Sequence, residues 1–177
     1  MSRSADKSNI FLAGMMGTGK TSTGRLVANA LRFVFADTDT LIERRENMTV
    51  NEIFACHGEQ YFRDREYDLL TELCEQDRQV IATGGGMLAV PENLTLAQKN
   101  GLVVLLTAPS SELAHRLLYR NDRPLLEGTD TVAKLAEIES RRREVWATIT
   151  NKIDTSGLSP LEVSELVLHS YREWTAS

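Results

Sequence analysis

Residues Gly14-Met15-Met16-Gly17-Thr18-Gly19-Lys20-Thr21 decide the reading of this chain. They match G-x-x-x-x-G-K-[ST], a phosphate-binding loop set between a strand and a helix. The flanks have the form that the motif needs. Asn9-Ile10-Phe11-Leu12-Ala13 is a short apolar run that predicts a buried strand. Thr21 to Leu31 predicts a helix, with Leu26, Val27, Ala30 and Leu31 on one side. Gly14, Gly17 and Gly19 permit backbone angles that other residues resist, so successive N–H groups turn toward one anion at the helix N-terminus. Phosphate contacts are expected from Gly14, Met16, Gly17, Thr18, Gly19 and Ser22. Lys20 is expected to reach the β- and γ-phosphates of a bound nucleotide, and the Thr21 hydroxyl to ligate Mg²⁺.

The remaining chain supports an α/β domain. Its 177 residues suffice for one full core. The net charge of −5 argues against a general nucleic-acid binder, which carries a basic face. Anionic small substrates stay open, since a site needs only local arginines. Cys56 and Cys74 are too few for a disulfide framework and form no zinc-type pair. Both are expected to be reduced core thiols, which places the chain inside the cell, in the cytoplasm. His57, His115 and His169 are scattered. Residues 1–8 are polar and expected to fray, and the apolar run after them is too short for a signal peptide or membrane span.

Strand and helix patterns alternate along the sequence. Strands are expected at 33–37, 79–83, 102–106 and 152–155. Helices are expected at 40–47, 49–57, 59–75, from Pro91 to near Gly101, from Ser110 to about Tyr119, at 131–148 and at 160–174. Gly58 interrupts the pattern between two of them. Such alternation implies a parallel sheet covered on both sides, with ligands at the carboxyl ends of the strands. The loop 14–21, Asp37-Thr38-Asp39, Gly84-Gly85-Gly86 and Asp154 all fall at such ends.

Phosphoryl transfer needs a carboxylate near the metal and a group that orients the attacking hydroxyl. Asp37 is the candidate for the metal side, through water, and Asp39 for the hydroxyl; the plainer role for Asp39 is a helix N-cap. Gly84, Gly85 and Gly86 suit either close approach to a ligand or an ordinary turn, and the residues alone do not choose. Arg63, with Glu59 and Glu66 at i−4 and i+3, is either part of a surface ladder or a clamp for an anionic substrate. Arg142 falls mid-face among Leu135, Ile138, Val145 and Trp146, where an arginine is best explained by an inward anion. Residues 121–128 read as a lid that excludes water and brings Arg123 to the transferring phosphate, with Arg116 and Arg120 near the nucleotide. Asn151-Lys152-Ile153-Asp154 matches the guanine-reading N-K-x-D pattern, but no D-x-x-G precedes it, so the match is taken as chance.

Together these pieces resemble the shikimate kinases, from about Asn9 to Trp174. The matching runs are G-M-M-G-T-G-K-T at 14–21, D-T-D at 37–39, G-E-Q-Y-F-R at 58–63 with Glu66, G-G-G at 84–86, R-P-L-L at 123–126 and I-D-T at 153–155. The resemblance implies a nucleoside-monophosphate-kinase-like fold, three layers around a five-stranded parallel sheet. It implies one domain over 1–177, with substrate-binding helices about 40–75 and a lid about 118–130. It further implies ATP-dependent phosphorylation of the shikimate 3-hydroxyl, on the way to chorismate and the aromatic amino acids, by a monomer using one Mg²⁺. Asp39 would contact the substrate hydroxyls and act as base. Arg63 and Arg142 would hold the carboxylate, and Gly84, Gly85 and Gly86 would line the substrate. Arg123 would come from the lid, and Arg116 would lie along the adenine. One run departs from the family pattern R-x-P-x-Y: here Arg142-Arg143-Glu144-Val145-Trp146 lacks the proline and has Trp for Tyr.

Overall fold

The computed structural model describes residues 8–118 and 130–176. Five strands form one parallel sheet in the order β2-β3-β1-β4-β5: β1 Asn9–Gly14, β2 Val34–Asp37, β3 Gln79–Ala82, β4 Gly101–Thr107 and β5 Asn151–Asp154. The first strand is central. Ile10 pairs with Val80 of β3 on one side and Leu102 of β4 on the other. Every residue of β1 is buried, as expected of a parallel strand covered on both faces.

Alternation along the strands divides the core in two. Ile10, Leu12, Val80, Leu102, Val104 and Leu106 face α1 (Lys20–Leu31) and α7 (Pro160–Ala176). Phe11, Ala13, Ile81, Val103 and Leu105 face the opposite layer. That layer contains α2 (Thr38–Glu46), α3 (Val50–Glu75), α4 (Pro91–Asn100), α5 (Ser110–Leu118) and α6 (Thr131–Ala147). A 3₁₀ turn, Met87–Ala89, follows the glycine run and was not foreseen from sequence.

Gly58 breaks α3 as its sequence implied. Its φ of 84° and ψ of 173° are non-helical, so α3 is two helices joined at a kink. The first starts with a reciprocal cap: Glu52 N–H donates to Thr49 Oγ1, and Thr49 N–H donates to Glu52 Oε2.

Three expectations need correction. Helix α1 buries Thr23, Gly24, Val27 and Ala28, whereas Leu26 is 38% exposed and Ala30 faces solvent. A Cβ on Gly24 would sit 2.6 Å from the Phe35 ring, so α1 lies too close to β2 for a larger side chain there without rearrangement. Cys74 is buried as expected, but Cys56 is exposed. Ser8 is held rather than frayed: its N–H donates to Asp77 Oδ1 at 2.5 Å, and its carbonyl accepts from Tyr171 Oη at 3.4 Å. Residues 1–7 lie outside the described residues.

Candidate active site

The connections of adjacent strands β1 and β3 leave toward opposite faces of the sheet. A crevice opens at their carboxyl ends, the usual place for a ligand in such a sheet. The loop after β1 forms one wall. Gly17 and Gly19 hold φ of 83° and 91°, the left-handed region that favours glycine. Gly19 is the N-cap of α1 and offers no side chain to it, which leaves the first N–H groups of the helix to an incoming anion. Lys20 Nζ donates to the carbonyls of Gly14 and Met15, both at 2.9 Å, so its ammonium lies over the loop. Thr18 Oγ1 donates to Met15 O at 2.8 Å.

Behind the loop, Thr21 Oγ1 donates to Asp37 Oδ2 at 2.8 Å. A hydroxyl and a carboxylate side by side beneath a phosphate loop are hard oxygen donors, the set that suits Mg²⁺. Asp37 also caps α2, its Oδ1 accepting from Thr40 N at 3.3 Å. The N-cap expected as the plainer role of Asp39 therefore belongs to Asp37. Asp39 stands in the first turn of α2, and its carboxylate turns to the glycine run after β3.

That run is a floor without side chains, pressed on by the residues singled out from the sequence. A Cβ on Gly84 would collide with Asp39 Oδ1 and lie 2.9 Å from Glu66 Oε1. On Gly85 it would lie 3.3 Å from Arg142 Nη1, and on Gly86 2.8 Å from Arg63 Nη1. The run is thus crowded by side chains of this chain, with no room for a Cβ at Gly84 or Gly86 unless those side chains shift. Arg63 makes both contacts of the ladder, but one end of that ladder is buried. Its Nη1 donates to Glu66 Oε2 at 2.5 Å and its Nη2 to Glu59 Oε1 at 3.0 Å, and Glu66 is only 1% exposed.

Charge in this cluster is finely opposed. Burial works against the Arg63 cation, but Glu66 and Glu59 outweigh it and raise its pKa above the ordinary value. Burial pushes the Glu66 carboxyl up to about 7, with Asp39 adding to the shift and Arg63 and Arg142 opposing it. Arg142 is depressed by burial and by Arg63, and only Glu66 counters this. Its inward placement on α6 agrees with the helical-face reading. No carboxylate comes within ion-pair distance of it among the described residues.

Arg116, on α5, bridges the loop to the end of β5. It donates to Gly17 O (3.3 Å), Thr155 Oγ1 (3.0 Å), Thr155 O (2.7 Å) and Glu112 Oε1 (2.5 Å). The Glu112 pair is a local i,i+4 contact on α5, but the ties to Gly17 and Thr155 had no signal in the sequence. Asp154 turns onto its own loop, accepting from Ser156 N and Oγ, in keeping with a chance N-K-x-D match. Arg123, Arg120 and residues 119–129 of the expected lid lie outside the described residues.

Sheet order and phosphate loop define a P-loop kinase fold. The sequence model of the shikimate kinases matches residues 16–172. A shikimate kinase of Geobacter metallireducens is 42% identical over 155 residues, 88% of this chain and 87% of that protein. One from Thermodesulfovibrio yellowstonii is 40% identical over 92% of this chain and 94% of that protein. Among solved structures, shikimate kinase from Acinetobacter baumannii in complex with shikimate superimposes with a TM-score of 0.87 at 32% identity, covering 94% of both chains. The chain belongs to the shikimate kinase family.

Proposed function

We propose that this enzyme transfers the γ-phosphoryl group of ATP to the 3-hydroxyl of shikimate, giving shikimate 3-phosphate on the route to chorismate. The observation that carries the reading is the convergence of Asp39, Glu66, Arg63 and Arg142 on Gly84–Gly86, beside the phosphate loop. One ligand carrying a carboxylate at one end and hydroxyls at the other fits that set of charges.

In this reading the N–H groups of residues 14–22 and Lys20 hold the ATP phosphates. Thr21 and Asp37, the latter through water, would hold Mg²⁺, which supplies charge neutralisation across the β- and γ-phosphates. Arg63 and Arg142 take the acceptor carboxylate, so one hydroxyl faces the γ-phosphate in line. Asp39 accepts that hydroxyl's proton, and Gly84–Gly86 line the acceptor with backbone. Lys20, together with Arg123 from the lid, stabilises charge in the transition state. Arg116 lies along the adenine. The single domain is divided into a core, substrate-binding helices 40–75 and a lid 118–130, and it acts as a cytoplasmic monomer. Among the described residues no helix is long and apolar enough to cross a membrane.

The test is ADP release with Mg·ATP and shikimate, gluconate or no acceptor. Release that depends on shikimate and is absent with gluconate is expected. Arg63→Ala should raise the shikimate KM at least tenfold while the ATP KM stays within twofold, because it removes a charged hydrogen bond made in both ground and transition states. Asp39→Ala should instead lower kcat, by about 10² or more. ATP binding without shikimate-dependent turnover would remove the acceptor assignment.

A further inference from the structure

Arg142 differs from Arg63 in what holds it. Arg63 is gripped by two carboxylates, whereas the side chains that Arg142 bonds to or stacks on among the described residues, Met15 and Trp146, carry no charge. Arg142 Nη1 donates to Met15 Sδ at 3.3 Å. Its guanidinium carbon lies 5.5 Å from the centre of the Trp146 ring, one helical turn along α6. Met15 is 4% exposed and Trp146 6%. A thioether is a weak acceptor, and an aromatic face attracts a cation by its quadrupole. Both orient a guanidinium without cancelling its charge. A carboxylate in either place would orient it and also neutralise it, leaving less attraction for an incoming anion.

Met15 has a second attachment. Its carbonyl accepts from Lys20 Nζ at 2.9 Å and from Thr18 Oγ1 at 2.8 Å. The backbone of this residue therefore belongs to the phosphate loop, while its side chain touches the arginine on the acceptor side.

We infer that Met15 and Trp146 are positioning residues for Arg142, and that Met15 makes the placement of Arg142 depend on the phosphate loop. The inference rests on the acceptor assignment proposed above. It gives a role to the departure at position 146. Trp and Tyr both present a ring face, and among the described residues no acceptor meets the buried Trp146 Nε1, so the ring face is the feature the two share.

The test combines steady-state kinetics with calorimetric shikimate binding, each with and without ADP. Loss of the ring in Trp146→Leu should raise the shikimate KM about fivefold, the size of a partly buried cation–π contact, with the ATP KM and kcat within twofold. Trp146→Phe should restore the wild-type KM. Trp146→Ile, which keeps apolar bulk without a ring or an acceptor, replaces the Leu variant if that one does not fold. Met15→Leu should weaken shikimate binding and diminish the change in shikimate affinity that ADP produces in the wild type. Equal shikimate KM values in the Leu and Phe variants would overturn the role of Trp146. So would parallel losses in both KM values and in Tm, which mark a structural role alone. A wild-type shikimate Kd that ADP does not alter would overturn the link through Met15. A wild type inert toward shikimate would instead overturn the acceptor assignment itself.

Discussion

Glu66 shares a helical stripe with Phe62, Leu69, Leu70 and Leu73 and is buried with them. One of its oxygens meets Arg63; the other, Oε1, has no hydrogen-bond partner among the described residues. Burial raises its pKa from 4.5 to about 7 against the pull of Arg63. The consequence for stability has a definite sign. Below about pH 4.5 the folded and unfolded chains both hold the proton. Between about 4.5 and 7 only the folded chain holds it, so stability falls as pH rises through that window. Above 7 the full cost remains, on the order of 3 kcal/mol for a shift of this size. Gln mimics the protonated form. The unfolding free energy of the wild type, relative to Glu66→Gln, is therefore expected to fall between pH 4.5 and 7.5 in urea titrations. A constant difference across that window would mean that Glu66 ionises as an ordinary glutamate. The spacing of Glu59, Arg63 and Glu66 was legible in the sequence. The depth of Glu66 was not, since it depends on how the second half of α3 meets the glycine run.

Among the elements, α6 was read well and α1 badly, for one reason. Helical periodicity locates a face by its large residues. On α6 the buried Leu135 and Trp146 are large, and Arg142 was found between them. On α1 the inward face includes Thr23 and Gly24, small residues that the close approach to Phe35 requires, so the apolar pattern pointed elsewhere. The start of the sheet carries a second feature of this kind. Asn9 is fully buried; its Nδ2 donates to Gln76 O, and its Oδ1 accepts from Gln79 N, both at 3.0 Å. It ties β1 to the chain entering β3. Asn9→Ala leaves a buried carbonyl and a buried N–H unpaired. A loss of about 2–6 kcal/mol is expected from equilibrium unfolding, at about 1–3 kcal/mol for each orphaned group. A loss below 0.5 kcal/mol would mean that water replaces the side chain at both groups.

At the scale of the molecule, the alternation of strands and helices, the phosphate loop and the strand-end carboxylates followed from local patterns, because parallel sheets announce themselves by alternation and continuous apolar runs; the order of the strands in the sheet did not. What did not follow joins distant segments: Arg116 to Thr155, Met15 to Arg142, Ser8 to Tyr171. No local pattern encodes such contacts, since each depends on the finished packing. The sheet order has one more consequence, for how the protein comes apart. With β1 central and β2 and β5 at the edges, partial opening has to begin away from the phosphate loop. Amide hydrogen exchange is therefore expected to be slowest in Ile10–Ala13 and faster by orders of magnitude in Val34–Ala36 and Lys152–Ile153. The loop that grips phosphate hangs from the strand last to lose its protection. The carboxylates of β2 and its following turn stand on one of the first, so brief excursions from the folded state would disarm the chemistry before they release the nucleotide.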